Sequence, residues 1–558
     1  MDNHPTSRCH HCNFDIAASH RQSPGPSQYL LEKYTKSNKY PHIHEAASIK
    51  AAMEEAKNQE ILLDETIAQF QSAIASLSAE KARIQKVIRQ YRWILRPIHG
   101  LPPEILIRIF SFTLDFPVPS KNEGGYETYW PSSSLSPSGM PWVLAQVSRL
   151  WRHLALAVPS LWSLVSLSWH PVPGEVTESL KLHSQIHLLC LQIQRSENYP
   201  LDVVASTRNP ISIIPLYSHS HRWRTLHIEL DNESVLTTSL IRGRLPLLES
   251  LELRWSGGPI NELDCFEFAP RLQTLRLSGE IGTRVGDFPL KLPKLQIKHL
   301  SIHDLHNSTH LAFISHHKAV KEFPKLQTCR FSFHLETIHS FLHLRTQWPD
   351  THVFLRNLEE LELYHAQEIG GIESMLSWIK APSLKTLSIF STGPNRSPFE
   401  DFFAQPASLT SLTIHRVEMP ASEFSAILAL LKGLQHLKFG VLNGITNDYL
   451  EPLSATMLDE LSIVPDLHKL ALLPTPGCAH LPYDDDLLVN VLEARWRGQL
   501  TADDWRCSTG PPDGLFSVEL DHEITSEKAR RRIDVLRAEG MHIKECNVSK
   551  GSESVLTR

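Results

Sequence analysis

The sequence predicts an α/β chain: one long N-terminal helix, a small all-α segment, then an α/β solenoid whose short parallel strands line a concave face. Three observations predict it. From about His42 to Arg96 there is neither glycine nor proline. Two runs, "LPPEILIRIF" (101–110) and "PWVLAQVSRLWRHLAL" (141–156), carry apolar residues at helical spacing. Beyond them, a pattern apolar-x-x-apolar-x-apolar returns at a nearly constant interval.

Composition sets the outer bounds. At 558 residues the chain exceeds what one hydrophobic core fills, so several domains or a repeat array are expected. Hydrophobic residues at 41% and charged residues at 21% are globular proportions. A formal net charge of -6 supplies no field for drawing in a polyanion, which argues against nucleic acid as partner. The basic run 528–532 reads as a solvated helix face. The N-terminus lacks the apolar centre of a signal peptide, and no run of about 18 apolar residues occurs, so no membrane is expected. The expectation is an intracellular protein, cytoplasmic or nuclear. The eight cysteines lie mostly singly, often within apolar runs, as reduced core thiols do.

In chain order, residues 1–41 are rich in Ser, Pro, His and Asn without periodicity and read as a disordered tail. Cys9 and Cys12 lack the second cysteine pair that a structural zinc site needs, so no metal is assigned there. In the helix at 42–96, Ile49, Ala56, Leu63, Phe70, Leu77, Ile84 and Tyr91 recur every seven residues as one apolar seam. Ala52, Gln59, Thr66, Ala73 and Glu80 make a weak companion row, while Met53, Ile67, Ile74 and Ile88 widen the stripe. Two readings stay open: packing on the helix's own domain, or a coiled coil and self-association through 42–95.

Pro97 ends that helix. In 101–110 the prolines fall where a first helical turn tolerates a missing N–H, and Ile105, Leu106, Ile109 and Phe110 share one face. Residues 117–141 are rich in Pro, Ser and Gly and read as a surface loop. Helical spacing resumes at Leu144, Val147, Trp151 and Leu154. Two short helices with this much apolar bulk cannot bury it all in one pairing.

The run "LPPEILIRIFSF…VLAQVSRLWRHLALAVPSLW" resembles the F-box, a motif of about fifty residues, here stretched by the 117–141 insertion. Leu101, Pro102, Glu104, Leu106, Ile109 and Phe110 match its first helix, and Val147, Ser148 and Trp151 its later "VSxxW" segment. The preceding "RQYRWILRPIHG" is similar to the lead-in common in large F-box families of mushroom-forming fungi. The resemblance covers about 89–165, within a segment bounded at 97–168. It implies docking to a Skp-type adaptor, and through it to a cullin, by Leu101, Pro102, Ile105, Leu106, Ile109, Phe110, Val147 and Trp151. It also implies that no catalysis resides in this chain, ubiquitin transfer being done elsewhere in the complex.

The remaining chain repeats itself. Leu226, Leu251, Leu275, Leu300, Cys329, Leu361, Leu387, Leu412, Leu437 and Leu461 hold the fourth position of ten units, at intervals of 24 to 32 residues. Alternation within each unit turns Leu251 and Leu253 inward and Glu252 outward. No unit completes its inward face until a neighbour stacks on it, hence a solenoid over 169–485. The pattern resembles a leucine-rich repeat, although the Asn or Cys usual three residues past the last core leucine is absent. Strands are expected to precede it at 164–167 and 201–204. A helix at 486–496, a strand at 515–520 and a helix at 527–539 form a closing segment, 486–558, expected to cap the array. "VLEARWRGQL" and "LRAEGMHI" within it are similar to the closing segment of those fungal proteins.

Catalytic signatures are missing: there is no GxSxG, no GxxxxGK[ST], no CxxC…CxxC and no HExxH. No cofactor is implied. The outward strand positions instead offer a binding face. Arg254, Arg276 and Arg330 with His299 and His303 read as a basic half, and Tyr364 and Phe390 as exposed aromatics beside it. The expected function is that of a substrate receptor of a cullin-RING ubiquitin ligase, its target an unknown protein. The alternative is a non-catalytic scaffold or dimeric adaptor whose F-box-like helices close the solenoid internally.

Overall fold

The computed structural model describes residues 28–37, 39–114, 118–122, 125–129, 133–169, 178–207, 213–231, 235–256, 263–279, 290–303, 320–334, 352–366, 376, 379–391, 400–404, 408–442, 444–454, 463–474, 483–497 and 517–545. Cys9, Cys12 and Leu461 lie outside these. The chain divides into two compact units, 1–102 and 103–558.

In the first unit, helix α1 (Gln28–Ser37) lies within the stretch expected to be disordered, and α2 (Ile43–Ile94) runs for 52 residues. With neither Gly nor Pro to interrupt it, every interior N–H of α2 finds its carbonyl four residues back. Lys33 of α1 donates to Glu45 at 2.9 Å, and the Tyr34 hydroxyl donates to the same carboxylate. Neither helix buries a residue, so packing on its own domain leaves the seam uncovered. Ile67, Ile74 and Leu77 are 51%, 63% and 72% exposed.

The second unit opens with α3 (Pro103–Ser111), α4 (Leu144–Val147) and α5 (Arg149–Leu156). Ser148 begins α5 as its N-cap, its Oγ accepting from the Trp151 N–H at 3.2 Å. The insertion between α3 and α4, expected to be a loop, contains an antiparallel hairpin of β1 (Val118–Asn122) and β2 (Gly125–Tyr129). In its register Asn122 pairs with Gly125 and Val118 with Tyr129.

A single parallel sheet of 14 strands follows, its neighbours in strict sequence order. Its strands are β3 (Leu164–Trp169), β4 (Leu201–Thr207), β5 (Trp223–Leu230), β6 (Ser250–Trp255), β7 (Thr274–Gly279), β8 (His299–His303) and β9 (Thr328–His334). The second half comprises β10 (Glu360–Ala366), β11 (Thr386–Ser391), β12 (Ser411–Val417), β13 (His436–Val441), β14 (Lys469–Leu472), β15 (Ser517–Leu520) and β16 (His542–Glu545). The inward pairs, such as Leu251 and Leu253, Leu275 and Leu277, or Leu412 and Ile414, are at most 2% exposed and form one continuous core. Each contributes roughly 1.5–3 kcal/mol, but only once the next strand covers it.

A second device sets the register. From β6 to β14, the residue just before each strand donates its backbone N–H to the corresponding residue of the preceding unit. Glu249 donates to Arg224, Gln273 to Glu249, Lys298 to Gln273, Gln327 to Lys298 and Glu359 to Gln327, and the relay continues through Lys385, Thr410, Gln435 and His468, all at 2.7–2.9 Å. These are the polar second positions of the apolar-x-x-apolar units, so the spacer residues of the repeat carry the backbone ladder.

Two boundaries differ from expectation. The sheet starts at Leu164, where a strand was expected. The strand pairing with β13 is 469–472, with Leu470 opposite Leu437, where the spacing of 24 had pointed to Leu461. Finally, 486–558 does not stop the array but extends it: β15 pairs with β14 and β16 with β15, in parallel. Its helices α8 (Asp485–Arg497) and α9 (Glu527–Ala538) hold these strands through buried polar groups; α7 (Ala421–Leu430) precedes them. Arg495, 5% exposed, donates to the carbonyls of Leu453 and Val464 at 2.8 Å and of Ile463 at 2.5 Å, and burial pushes it down to about 10. Trp496 Nε1 donates to Glu539 at 3.0 Å. Asp485 Oδ2 accepts from the Thr525 and Ser526 N–H groups at 2.8 and 2.9 Å, before α9. The arginine and tryptophan of "EARWR" thus act as ties between helix and loop.

The N-terminal edge of the sheet is closed by side chains. Helix α6 (Glu178–Arg195) buries Gln192, whose Nε2 donates to the Leu164 carbonyl at 2.6 Å and whose Oε1 accepts from Ser134 Oγ at 3.0 Å. Ser134 completes the edge: its N–H donates to the Ser166 carbonyl at 2.9 Å and its Oγ accepts from the Ser166 N–H at 3.0 Å. The Ser166 N–H and the Leu164 and Ser166 carbonyls of β3 are thereby satisfied without another strand. Gln192→Leu keeps the volume but strips the Leu164 carbonyl of its donor. It is expected to destabilise the sheet by roughly 1–3 kcal/mol, with hydrogen exchange rising first at β3 and β4.

Candidate functional site

Two surfaces of the second unit carry the residues singled out in the sequence: the helices α3 to α5, and the outward face of the sheet.

On the helices, the expected docking residues separate into two groups. Leu106 and Phe110 are 1% and 0% exposed, and the Phe110 ring packs against half-buried Trp151 with centroids 4.8 Å apart. Their apolar surface is used inside the chain, which corrects their assignment as contacts open to a partner. A tryptophan three residues after an N-cap serine and a phenylalanine on the facing helix lock α5 to α3. Ile105, Ile109 and Val147 remain 45%, 38% and 56% exposed. Sequence reading missed Phe112, Leu150 and Leu156, at 77%, 50% and 39%. Leu101, partly exposed, and Pro102, exposed, end the first unit. Behind these helices Trp142 and Trp162 meet edge to face at 5.0 Å, and the Arg195 guanidinium lies over both rings.

On the sheet, parallel register converts the repeat into three rows of outward side chains. Thr274, His299, Thr328 and Glu360 are neighbours in the first row. The middle row runs His227, Glu252, Arg276, Ser301, Arg330, Glu362. The third includes Arg254, Ser278, His303, Ser332, Tyr364, Phe390 and His415.

The middle row mixes charges of both signs, which corrects the expectation of a basic half. Glu252, 6% exposed, lies between His227 Nδ1 at 3.1 Å and Arg276 Nη1 at 3.6 Å. Arg330 Nε reaches Glu362 at 2.6 Å. Two carboxylates therefore offset two guanidiniums. Charges counted strand by strand hide partners that lie one strand over, about 4.8 Å away. Exposed Arg254 lies in the next row, and His303 is 8% exposed.

Between the arginines, Ser301, His299, Thr328, Glu360 and Glu362 line a depression of about 290 Å³. His299 Nδ1 is 2.9 Å from Thr328 Oγ1. Burial, then the Lys298 and Arg276 cations, hold His299 below the ordinary histidine value, with Glu360 opposing them. At neutral pH it is an uncharged ring able to donate and accept.

The aromatic pair is not an exposed anchor. Tyr364 is 7% exposed and stacks on half-buried Phe390 at 4.2 Å with planes 3° apart; Phe390 in turn meets His415 edge-on at 5.9 Å. Three adjacent strands thus carry a ring ladder whose faces are spent on one another. This face offers hydroxyls, paired charges and a neutral imidazole to a partner, an arrangement for mixed-charge polar recognition. Among the described residues no group of three or more His, Cys, Asp or Glu is placed to hold a metal, and no helix is long and apolar enough to cross a membrane.

Compared with family models and with curated proteins, the chain matches none. Its reading rests on its own residues.

Because His299 is held low, it is expected to titrate below about 6.5. In NMR titrations assigned by difference against His299→Gln, Arg276→Gln should move its pKa upward by removing one cation. The sign for stability follows: protonation favours the unfolded chain, so the contribution of neutral His299 is present above the unfolded pKa and is lost as pH falls toward the folded one.

Proposed function

We propose that this chain is the substrate-recognition subunit of an SCF-type, cullin-RING ubiquitin ligase. In this reading the F-box-like helices dock a Skp-type adaptor, and the sheet, as the recognition face of a leucine-rich-repeat-like solenoid, binds the target protein. The observation that carries the reading is the apolar surface left on α3 to α5. Once Leu106, Phe110 and Trp151 have packed together, Ile105, Ile109, Phe112, Val147, Leu150 and Leu156 remain in solvent. Closing the array does not use them: at the β3 edge, Leu164 and Ser166 are bonded by Gln192 and Ser134. Aliphatic and aromatic side chains exposed together on short helices are the composition of a protein interface.

The residues proposed for the adaptor are therefore Ile105, Ile109 and Val147, joined by Phe112, Leu150 and Leu156. Leu106, Phe110 and Trp151 shape the surface from behind. The target face is the depression between Arg276 and Arg330 with His299. Proximity is what this chain supplies; transfer chemistry belongs to other subunits. The scaffold alternative keeps one observation in its favour, the uncovered seam of α2, but it leaves the apolar face of α3 to α5 without a role.

Ile109→Asp with Val147→Asp changes two exposed positions and should leave the fold intact while weakening adaptor binding by about tenfold or more in a pull-down titration. Unchanged adaptor binding in that variant, or purification of the intact chain from its own cells without any Skp-type adaptor, overturns the reading.

A further inference from the structure

The second row on α2 turns its seam into a specification for a partner. Four residues after the members of the row from Ile49 to Ile84 stand Met53, Glu60, Ile67, Ile74, Lys81 and Ile88, and Leu95, four after Tyr91, is the C-cap just past the helix. Alternating steps of four and three are the core spacing of a two-stranded coiled coil. At 52 residues the helix is about 78 Å long, well beyond the three to four heptads such a pairing needs. Both rows are largely in solvent: Met53, Leu63, Ile84 and Ile88 are 43–49% exposed.

The two charged residues in this row decide what covers it. Alongside a parallel, in-register copy, Glu60 would face Glu60 and Lys81 would face Lys81 across an otherwise apolar seam, two like-charge layers in a partly dry site. Alongside an antiparallel copy centred near residue 70, Glu60 falls within about one core layer of the partner's Lys81, and symmetry repeats the pair. Residue 70 is also close to the midpoint of Ile43–Ile94, so this register overlaps the two helices almost end to end. We infer that α2 pairs with α2 of a second copy of this chain as an antiparallel coiled coil, its direction set by reciprocal Glu60 and Lys81 contacts. The inference stands independently of the ligase reading.

Sedimentation equilibrium of the full chain over a concentration series tests it. The wild type should be a dimer, and Ile74→Lys, at a position 63% exposed in the single chain, should yield a folded monomer. Glu60→Lys alone and Lys81→Glu alone should each weaken the dimer by about tenfold, and the double charge swap should restore it. A chain that stays monomeric to about 100 µM, a dimer indifferent to Ile74→Lys, or single swaps without effect each overturn the proposal. The last outcome is the one a parallel pairing gives, since it replaces one like-charge layer by another.

Discussion

Each strand of the sheet is stable only against the one before it, and the first has nothing before it. Ser134 and Gln192 hold this edge by bonding the Ser166 N–H and the Leu164 and Ser166 carbonyls that β3 turns outward. From that fixed edge the polar spacers hand the backbone ladder forward, Arg224 to Glu249 to Gln273 and onward, while the leucines on either side close the core. Hydrogen bonds set the register and burial supplies the energy; neither suffices alone, because a strand one residue out of step would turn its leucines to solvent. The same division operates at the other end, where Arg495 and Asp485 hold the last helices by buried polar contacts to carbonyls and N–H groups.

Two motifs take on a double character. The tryptophan of "VSRLW" and the phenylalanine of "IRIF" form a ring pair that locks two helices, and the exposed serine caps the second of them. Their neighbours one position away, Val147 and Ile109, face outward. A signature of this kind records the internal fastening of a docking element as much as its contact surface. The proposed adaptor site is what the fastening leaves exposed.

The repeat was legible because leucine spacing and two-residue alternation both constrain it, and the rows of outward residues read from the sequence are the rows the sheet displays. Leu461 misled because "LDELSI" satisfies the same pattern as "LHKLAL", and spacing preferred the nearer one. The closing strands were obscured by long intervals: the aligned Leu470 of β14 and Val518 of β15 stand 48 positions apart. At the candidate site, residue types were legible and their pairing was not. Glu252 lies against side chains on both flanking strands, His227 and Arg276, a relation between residues 24 or 25 positions apart that appears only when strands are laid side by side. Burial of Tyr364 escaped for the same reason, since its cover is Phe390 on the next strand.

The sheet is also a ruler. Its outward residues recur about every 4.8 Å across the strands, whereas an extended peptide advances about 3.4 Å per residue. A segment lying across the face would drift out of step and return to coincidence only after about seven of its residues and about five strand-to-strand steps. Five such steps run from His227 to Glu362 in the middle row. A polypeptide crossing there would meet matched side chains at the two ends of that span and mismatched ones between, so a few widely separated positions would dominate its selection.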